Sequence, residues 1–390
     1  MLKKYIKDNS SSFKTAGLIF LTSRIFILLL VLYFGYIQTP SYPEGSYIID
    51  IPIIKDFVLY DSQHYINIAK YGYNNYDAYP KIQGQNYVKG AEAAFFPLYP
   101  MLIRMLFFIG IEAHVAGFII SNICFFFILF FLKKFLIQNG IKVNMPLYIV
   151  AFYPLSMYFS AVYTESLFIL LTIMCFYFAH NKKWWAAGIT SFFASLARNA
   201  GIFLSAFLFF EYLHSINFKI KNIKKEILTA GFPVLGLSSF LFFEQIKYND
   251  FLKFYHVNFL ECFGRERTTF LKFLIEDIIK GNIKDPIVFI NMLICYLFTV
   301  VFIIMCFDKK IHLSYKIFTF GLMYISTGTL FKGWNGTFAS LGYARYAMPC
   351  IPVFIYLGKS KKYLSFFVLG IFAAGLFFYT AAFVSKYFIA

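Results

Sequence analysis

Ala94-Phe95-Phe96-Pro97-Leu98-Tyr99-Pro100 opens an apolar stretch that runs to Ile109, and the threading of every later segment depends on whether that stretch crosses a membrane. Lys3, Lys4, Lys7 and Lys14 precede the first long apolar run, and Lys133 and Lys134 close the run after Ile109. Lysines flanking membrane helices gather on the cytoplasmic side. A crossing by 95–109 would put Lys133 and Lys134 outside. The stretch is therefore expected as a shallow or re-entrant helix on the outer side, broken by Pro97 and Pro100, since irregular backbone at membrane depth survives where protein or water covers it.

The rest of the chain fits that frame. Of 390 residues, 60% are hydrophobic and 22% aromatic, far from the composition of a soluble domain. Apolar runs of roughly 18 residues or more recur throughout, each long enough to cross a hydrocarbon core of about 30 Å. The first, 16–37, is too long for a signal-peptide core and is not followed by a small-residue cleavage site, so it is expected to persist as a helix. Further clusters at Lys182/Lys183, Lys219 to Lys225, Lys309 to Lys316 and Lys359 to Lys362 mark cytoplasmic turns. Placing every cluster inside predicts an all-α polytopic membrane protein, one domain over 1–390, of about eleven spans. They are 16–37, 115–135, 146–160, 164–180, 185–197, 200–214, 226–245, 287–307, 313–331, 339–357 and 362–384.

This distribution makes the net charge of +17 a topology signal and argues against nucleic acid as partner. Five of the six cysteines lie in apolar runs and Cys262 stands alone, so neither a disulfide framework nor zinc-finger spacing is expected. No nucleotide-binding glycine loop and no internal repeat occur. Two outward segments are too long to be mere connections: 38–94, with interfacial helices, and 246–286. Function is expected there.

Asp61 begins Asp61-Ser62-Gln63-His64-Tyr65-Ile66-Asn67-Ile68-Ala69-Lys70, in which Tyr65, Ile68 and Ala69 share a helical face suited to the interface plane. Its carboxylate is either a helix N-cap or a catalytic base. His64, one turn on, is an interfacial contact or a substrate ligand. Glu165 is the one acid in more than forty nearly continuous apolar residues, which reads either as a solvated turn or as a second carboxylate facing the site of Asp61. Tyr163 shares its turn. Arg198 lies between two short spans, placed to clamp a phosphate through its planar fork or to pair with an acid such as Glu165. Arg345 enters a span from outside, as a phosphate ligand or a snorkelling cation. Lys332, Arg265 and Arg267 are loop cations of weaker claim, and Arg24, deep in the first span, is expected to snorkel inward or pair within the bundle.

Such groups suit transfer of a sugar from a lipid phosphate carrier. An acceptor hydroxyl needs a base, worth about 10² to 10⁴ in rate, and a departing lipid phosphate needs cations. One base without a nearby nucleophile fits inversion at the anomeric carbon, by analogy with glycosidases. The donor carries its own leaving group, so neither cofactor nor metal is required. Asp61 is the expected base. A transporter or lipid flippase is the rival class, but the candidate charges gather outside and the halves do not match. A non-catalytic assembly partner would lack the acid.

Four motifs carry a family resemblance over most of the chain: Tyr60-Asp61-Ser62-Gln63-His64-Tyr65 through Ile68-Ala69 to Gly72-Tyr73; Ala94 to Pro100; Ala161-Val162-Tyr163-Thr164-Glu165-Ser166-Leu167-Phe168; and Ala197-Arg198-Asn199-Ala200-Gly201. Together they resemble the PIG-V (GPI mannosyltransferase II) family of membrane glycosyltransferases with the GT-C fold. The resemblance implies a polyprenyl-phosphate mannose donor, an extracytoplasmic active site, Asp61 as the essential acid and a shallow 95–109 element. The family usually has Trp where Tyr60 stands, and the Arg345 segment matches only loosely. The compact, lysine-rich chain reads as a prokaryotic plasma-membrane protein whose acceptor is a glycan, glycolipid or protein other than GPI.

Overall fold

The computed structural model describes residues 2–37, 52–73, 90–333, 336–385 and 387, without the side chains of 2–8, 52, 53, 332, 333 and 336. Asp50 and Asp77 of segment 38–94, expected to face outward, lie outside the described residues.

The chain is predominantly helical. It opens with α1 (Leu2–Ile37), whose 36 residues extend about 54 Å. Two short helices follow, α2 (Pro52–Lys55) and α3 (Ser62–Tyr71), then a 3₁₀ turn at Ala91–Ala94 and α4 (Leu98–Phe108). Pro97 and Pro100, expected to break a helix, instead begin one. Pro97 occupies the N-cap and Pro100 the first turn, where the missing N–H would have no acceptor anyway. At 11 residues, α4 is about 16 Å long, too short to span a core of about 30 Å alone.

After α5 (Ala113–Gln138) the expected span 146–160 is not one helix. Helix α6 (Met145–Ala151) stops before Pro154, and the chain continues through a 3₁₀ turn at Ser156–Phe159 and irregular backbone to Thr164. Proline at 154 disfavours helical backbone at 153, and Arg24 stabilises the break. Its Nη1 donates to the Ser156 carbonyl and to Ser160 Oγ, each at 3.0 Å, and Nη2 donates to Ser156 Oγ at 2.6 Å. Arg24 thus pairs within the bundle and satisfies backbone that the broken helix leaves open.

Next come α7 (Glu165–His180), α8 (Trp184–Ala197), α9 (Phe203–Ser215), α10 (Phe232–Tyr248), α11 (Lys253–His256), α12 (Phe270–Ile279) and α13 (Pro286–Phe307). The last is capped as its sequence demands, with Pro286 at the first position and the Asp285 carboxylate accepting from the Ile287 amide at 2.8 Å. Helices α14 (Leu313–Thr327), α15 (Tyr343–Ala347), α16 (Ile351–Lys359) and α17 (Lys362–Val384) complete the chain.

Among the described residues, five helical segments are long and apolar enough to cross a membrane: Asn9–Ile37, Ala113–Gln138, Lys225–Tyr248, Pro286–Phe307 and Lys362–Val384. The protein is therefore a membrane-embedded helical protein. The other expected spans appear as helices of 13 to 16 residues, namely α7, α8, α9 and α14, or as broken segments such as α15 with α16. A small antiparallel sheet departs from the all-α expectation. Its strands are β1 (Arg265–Arg267), β2 (Thr329–Gly333) and β3 (Gly336–Phe338), in the order β1-β2-β3, with Arg265 opposite Phe331 and Lys332 opposite Thr337. It ties segment 246–286 to the chain leading into α15.

Candidate active site

Residues from four distant parts of the chain meet beside one cavity of about 550 Å³, three of them lining it and Glu165 buried behind the two arginines. Asp61 comes just before α3, Glu165 from the first turn of α7, Arg198 from the turn after α8 and Arg345 from α15.

Arg345 is the hub. Its Nε donates to Glu165 Oε1 at 2.5 Å and its Nη1 to Asp61 Oδ2 at 2.8 Å, while Arg198 Nη1 donates to the same Glu165 oxygen at 2.6 Å. The guanidinium of Arg345 lies 4.5 Å from the Tyr163 ring centroid and 5.2 Å from that of Tyr158. Two arginines and two carboxylates give a locally neutral quartet. Neutrality matters because Glu165 is fully buried and Arg345 nearly so.

The alternatives for each candidate now separate. Asp61 sits at the N-cap position of α3 in helical backbone, but its side chain makes no capping bond and turns to Arg345. Oδ1 makes no hydrogen bond among the described residues, and Asp61 lies on the cavity wall, its side chain 27% exposed. Tyr60 before it has φ 53°, in the left-handed region that a bulky side chain rarely adopts. Backbone strain of this kind clusters at functional sites. Glu165 is no solvated turn; it is the buried counter-ion of both arginines. Arg198 therefore both pairs with Glu165 and lines the cavity, and Arg345 is committed to the quartet rather than snorkelling.

Two candidates move. His64 stacks on Phe95, ring centroids 4.4 Å apart, with Nδ1 3.7 Å from the buried Glu92, and it does not line the cavity. Its ring is apolar enough to be drawn against Phe95 and away from the opening. Tyr163 is fully buried; its hydroxyl donates to the Leu59 carbonyl at 2.9 Å and accepts from the Asp61 amide at 3.2 Å. It holds the Asp61 backbone and does not line the cavity. Lys332 lies in β2, and its side chain is outside the described residues.

The structure adds residues that the sequence reading passed over or ranked low. Arg265, from β1, lines the cavity and donates to the Tyr346 hydroxyl at 2.6 Å. Tyr346 lies beneath both Arg265 and Arg198, 5.4 and 5.7 Å from its ring centroid. Tyr65 also faces the opening; burial, and then the charge of Glu165, push its phenol above the ordinary value, so it stays a donor at neutral pH. The rest of the wall is largely apolar, with Phe95, Phe259, Phe263 and Leu322.

Asp277, in α12, anchors the backbone before α15. Asp277 accepts from the Ala339 amide at 2.9 Å, the Ser340 amide at 2.7 Å and Ser340 Oγ at 2.6 Å, and Asn291 Oδ1 accepts from the Ala344 amide at 2.8 Å. These bonds set the entry into α15, and thereby Arg345. Gly201 closes the Arg198 turn: a Cβ there would meet the Ser195 amide nitrogen at 2.5 Å, so only glycine permits the approach.

An opening with a half-open carboxylate, cations within reach and an apolar wall can hold an anionic group on an apolar carrier and take a proton from a neighbouring hydroxyl. In comparison with known proteins, the chain matches no family model and no curated sequence.

Proposed function

We propose that the protein is an inverting membrane glycosyltransferase of the GT-C type, a mannosyltransferase by its motifs. It moves a sugar from a polyprenyl-phosphate donor to an acceptor hydroxyl at the extracytoplasmic face of the plasma membrane. The supporting observation is the meeting of Asp61, Arg198 and Arg345 on one cavity wall, although as many as 284 residues separate them in the chain. In this reading the acceptor oxygen attacks the anomeric carbon, the bond from that carbon to the phosphate oxygen breaks, and polyprenyl phosphate departs with the electron pair. The acceptor proton passes to Asp61 Oδ1, the oxygen Arg345 does not engage. Arg198 and Arg265 face the departing phosphate, where fixed positive charge lowers the barrier most. The apolar wall receives the first isoprene units.

Asp61→Asn tests this reading, because Glu165 still pairs with Arg345 in the variant and folding is preserved. Purified protein given a panel of polyprenyl-phosphate sugars, with products identified by mass spectrometry, should lose at least about 10²-fold in transfer on this substitution. Unchanged turnover would remove Asp61 as base. Absence of transfer by the wild type from every donor, with ligand movement across vesicles instead, would favour the transporter class.

A further inference from the structure

A second cluster of polar groups lies where α7 and α9, which begin near the cavity, end and where α14 begins. Helix α7 starts at Glu165 and ends at His180; α9 starts just after the Arg198 turn and ends at Ser215; α14 starts after His312 and reaches the cavity wall through Leu322, Ile325 and Ser326. Glu211 and His214, one turn apart on α9, meet His312 there, and one ligand atom from each lies within 4.8 Å of the others. We propose that Glu211, His214 and His312 bind one divalent transition-metal ion of the zinc class and thereby clamp the end of α9 to the start of α14.

The donor set has the chemistry for it. Nδ1 of His312 stands 3.2 Å from each oxygen of Glu211, close to the separation of about 3.4 Å between two ligands of a tetrahedral ion with bonds of about 2.05 Å. The imidazoles of His214 and His312 lie face to face, centroids 3.7 Å apart. His214 is exposed, so its ring can turn to direct a nitrogen lone pair at an ion shared with His312. A metal ion takes the place of the proton between His312 and Glu211, as ligand deprotonation on binding requires. Two imidazoles with one carboxylate select zinc-class ions over magnesium or calcium, which prefer all-oxygen sets.

Independent features support a cation at this place. Glu211 is buried, and Ser314 Oγ donates to its Oε2 at 2.5 Å, the kind of outer contact that orients a ligating carboxylate. His214 occupies the last turn of α9, where the backbone carbonyls carry partial negative charge. His180, the last residue of α7, stands within the electrostatic reach of Glu211 and His312. His214 is exposed and provides an entry path and room for a water as fourth ligand. The other comparable cluster, Asp250, His256 and Glu261, does not qualify. Lys253 Nζ already sits 2.6 and 2.7 Å from the two Glu261 oxygens and supplies the cation.

Full-length protein in detergent, stripped with chelator and titrated with Zn²⁺ alone, should retain one ion per chain after desalting and gain thermal stability, while Mg²⁺ should do neither. His214→Ala removes an exposed side chain and leaves the fold intact; it should weaken Zn²⁺ retention by at least about tenfold. His214→Ala combined with His312→Gln should abolish retention, and His256→Gln should leave it unchanged. A wild-type protein that keeps no Zn²⁺, or a doubly substituted one that keeps as much as wild type, overturns the proposal.

Discussion

Removing the charge of Glu165 is the sharpest test of the neutral quartet. In Glu165→Gln the shape is kept, but Arg198 loses its carboxylate partner at 2.6 Å and Arg345 keeps only Asp61, at 2.8 Å. Breaking a buried ion pair on one side costs about 3–5 kcal/mol, because the remaining charge stays desolvated and unpaired. Arg198 is 15% exposed and Arg345 retains one partner, so the lower end applies, about 3 kcal/mol, or roughly 10² in the folding constant. Adding Arg198→Gln removes the orphaned cation together with its partner. The double variant should then be about 2 kcal/mol more stable than the sum of the two single effects implies. Reversible unfolding in mixed detergent micelles gives all four corners of this cycle. A Glu165→Gln protein within about 0.5 kcal/mol of wild type, or strictly additive effects, would refute the claim that the quartet is held together by mutual neutralisation.

Other tests probe the parts that position this group. Gly201→Ala drives a Cβ to 2.5 Å from the Ser195 amide nitrogen and should destabilise the protein by about 1–3 kcal/mol, measured in the same micelles; a neutral effect would mean that the Arg198 turn is loose. Asp277→Ala removes the acceptor for the Ala339 and Ser340 amides and should lower stability by about 2–3 kcal/mol, with transfer lost because Arg345 is no longer fixed. Full activity in that variant would dismiss Asp277 as an anchor. Burial, and then the neighbouring Glu261, push the Cys262 thiol up to about 11. The thiolate is the reactive form, so alkylation of Cys262 by an impermeant reagent outside intact cells should rise about tenfold per pH unit from 8 to 10. A plateau near pH 9, or labelling only after permeabilisation, would contradict the environment or the sidedness.

Much of the site was legible because charge in an apolar chain is conspicuous. Glu165 and Arg198 stand nearly alone among hydrophobic neighbours, and Asp61 and Arg345 sit at the mouths of apolar runs; all four converge. What sequence could not show was direction. His64 and Asp61 are one turn apart, yet one packs on Phe95 and the other faces Arg345, a choice made by tertiary contacts. Arg265 ranked low as a loop cation, because nothing in Arg265-Glu266-Arg267 announces a strand; pairing with β2 makes it one. The helix break at 152–164 was signalled only by Pro154, and Glu211 and His214 on α9 meet His312, about a hundred residues further on, beyond the reach of any spacing rule. The long helices were easiest to foresee, since length and apolarity alone define them.

The β1–β2 pairing has a consequence for how this chain can change over time. Main-chain bonds fasten the segment 246–286 through β1, so substitution of Arg265 alters the lining without unfastening it. Adding or deleting one residue between Thr329 and Gly333 is different. It would reverse the faces that successive β2 side chains present and drag the arginine twelve positions beyond Gly333 out of reach of both its acids. Length, more than identity, is what this short ribbon constrains.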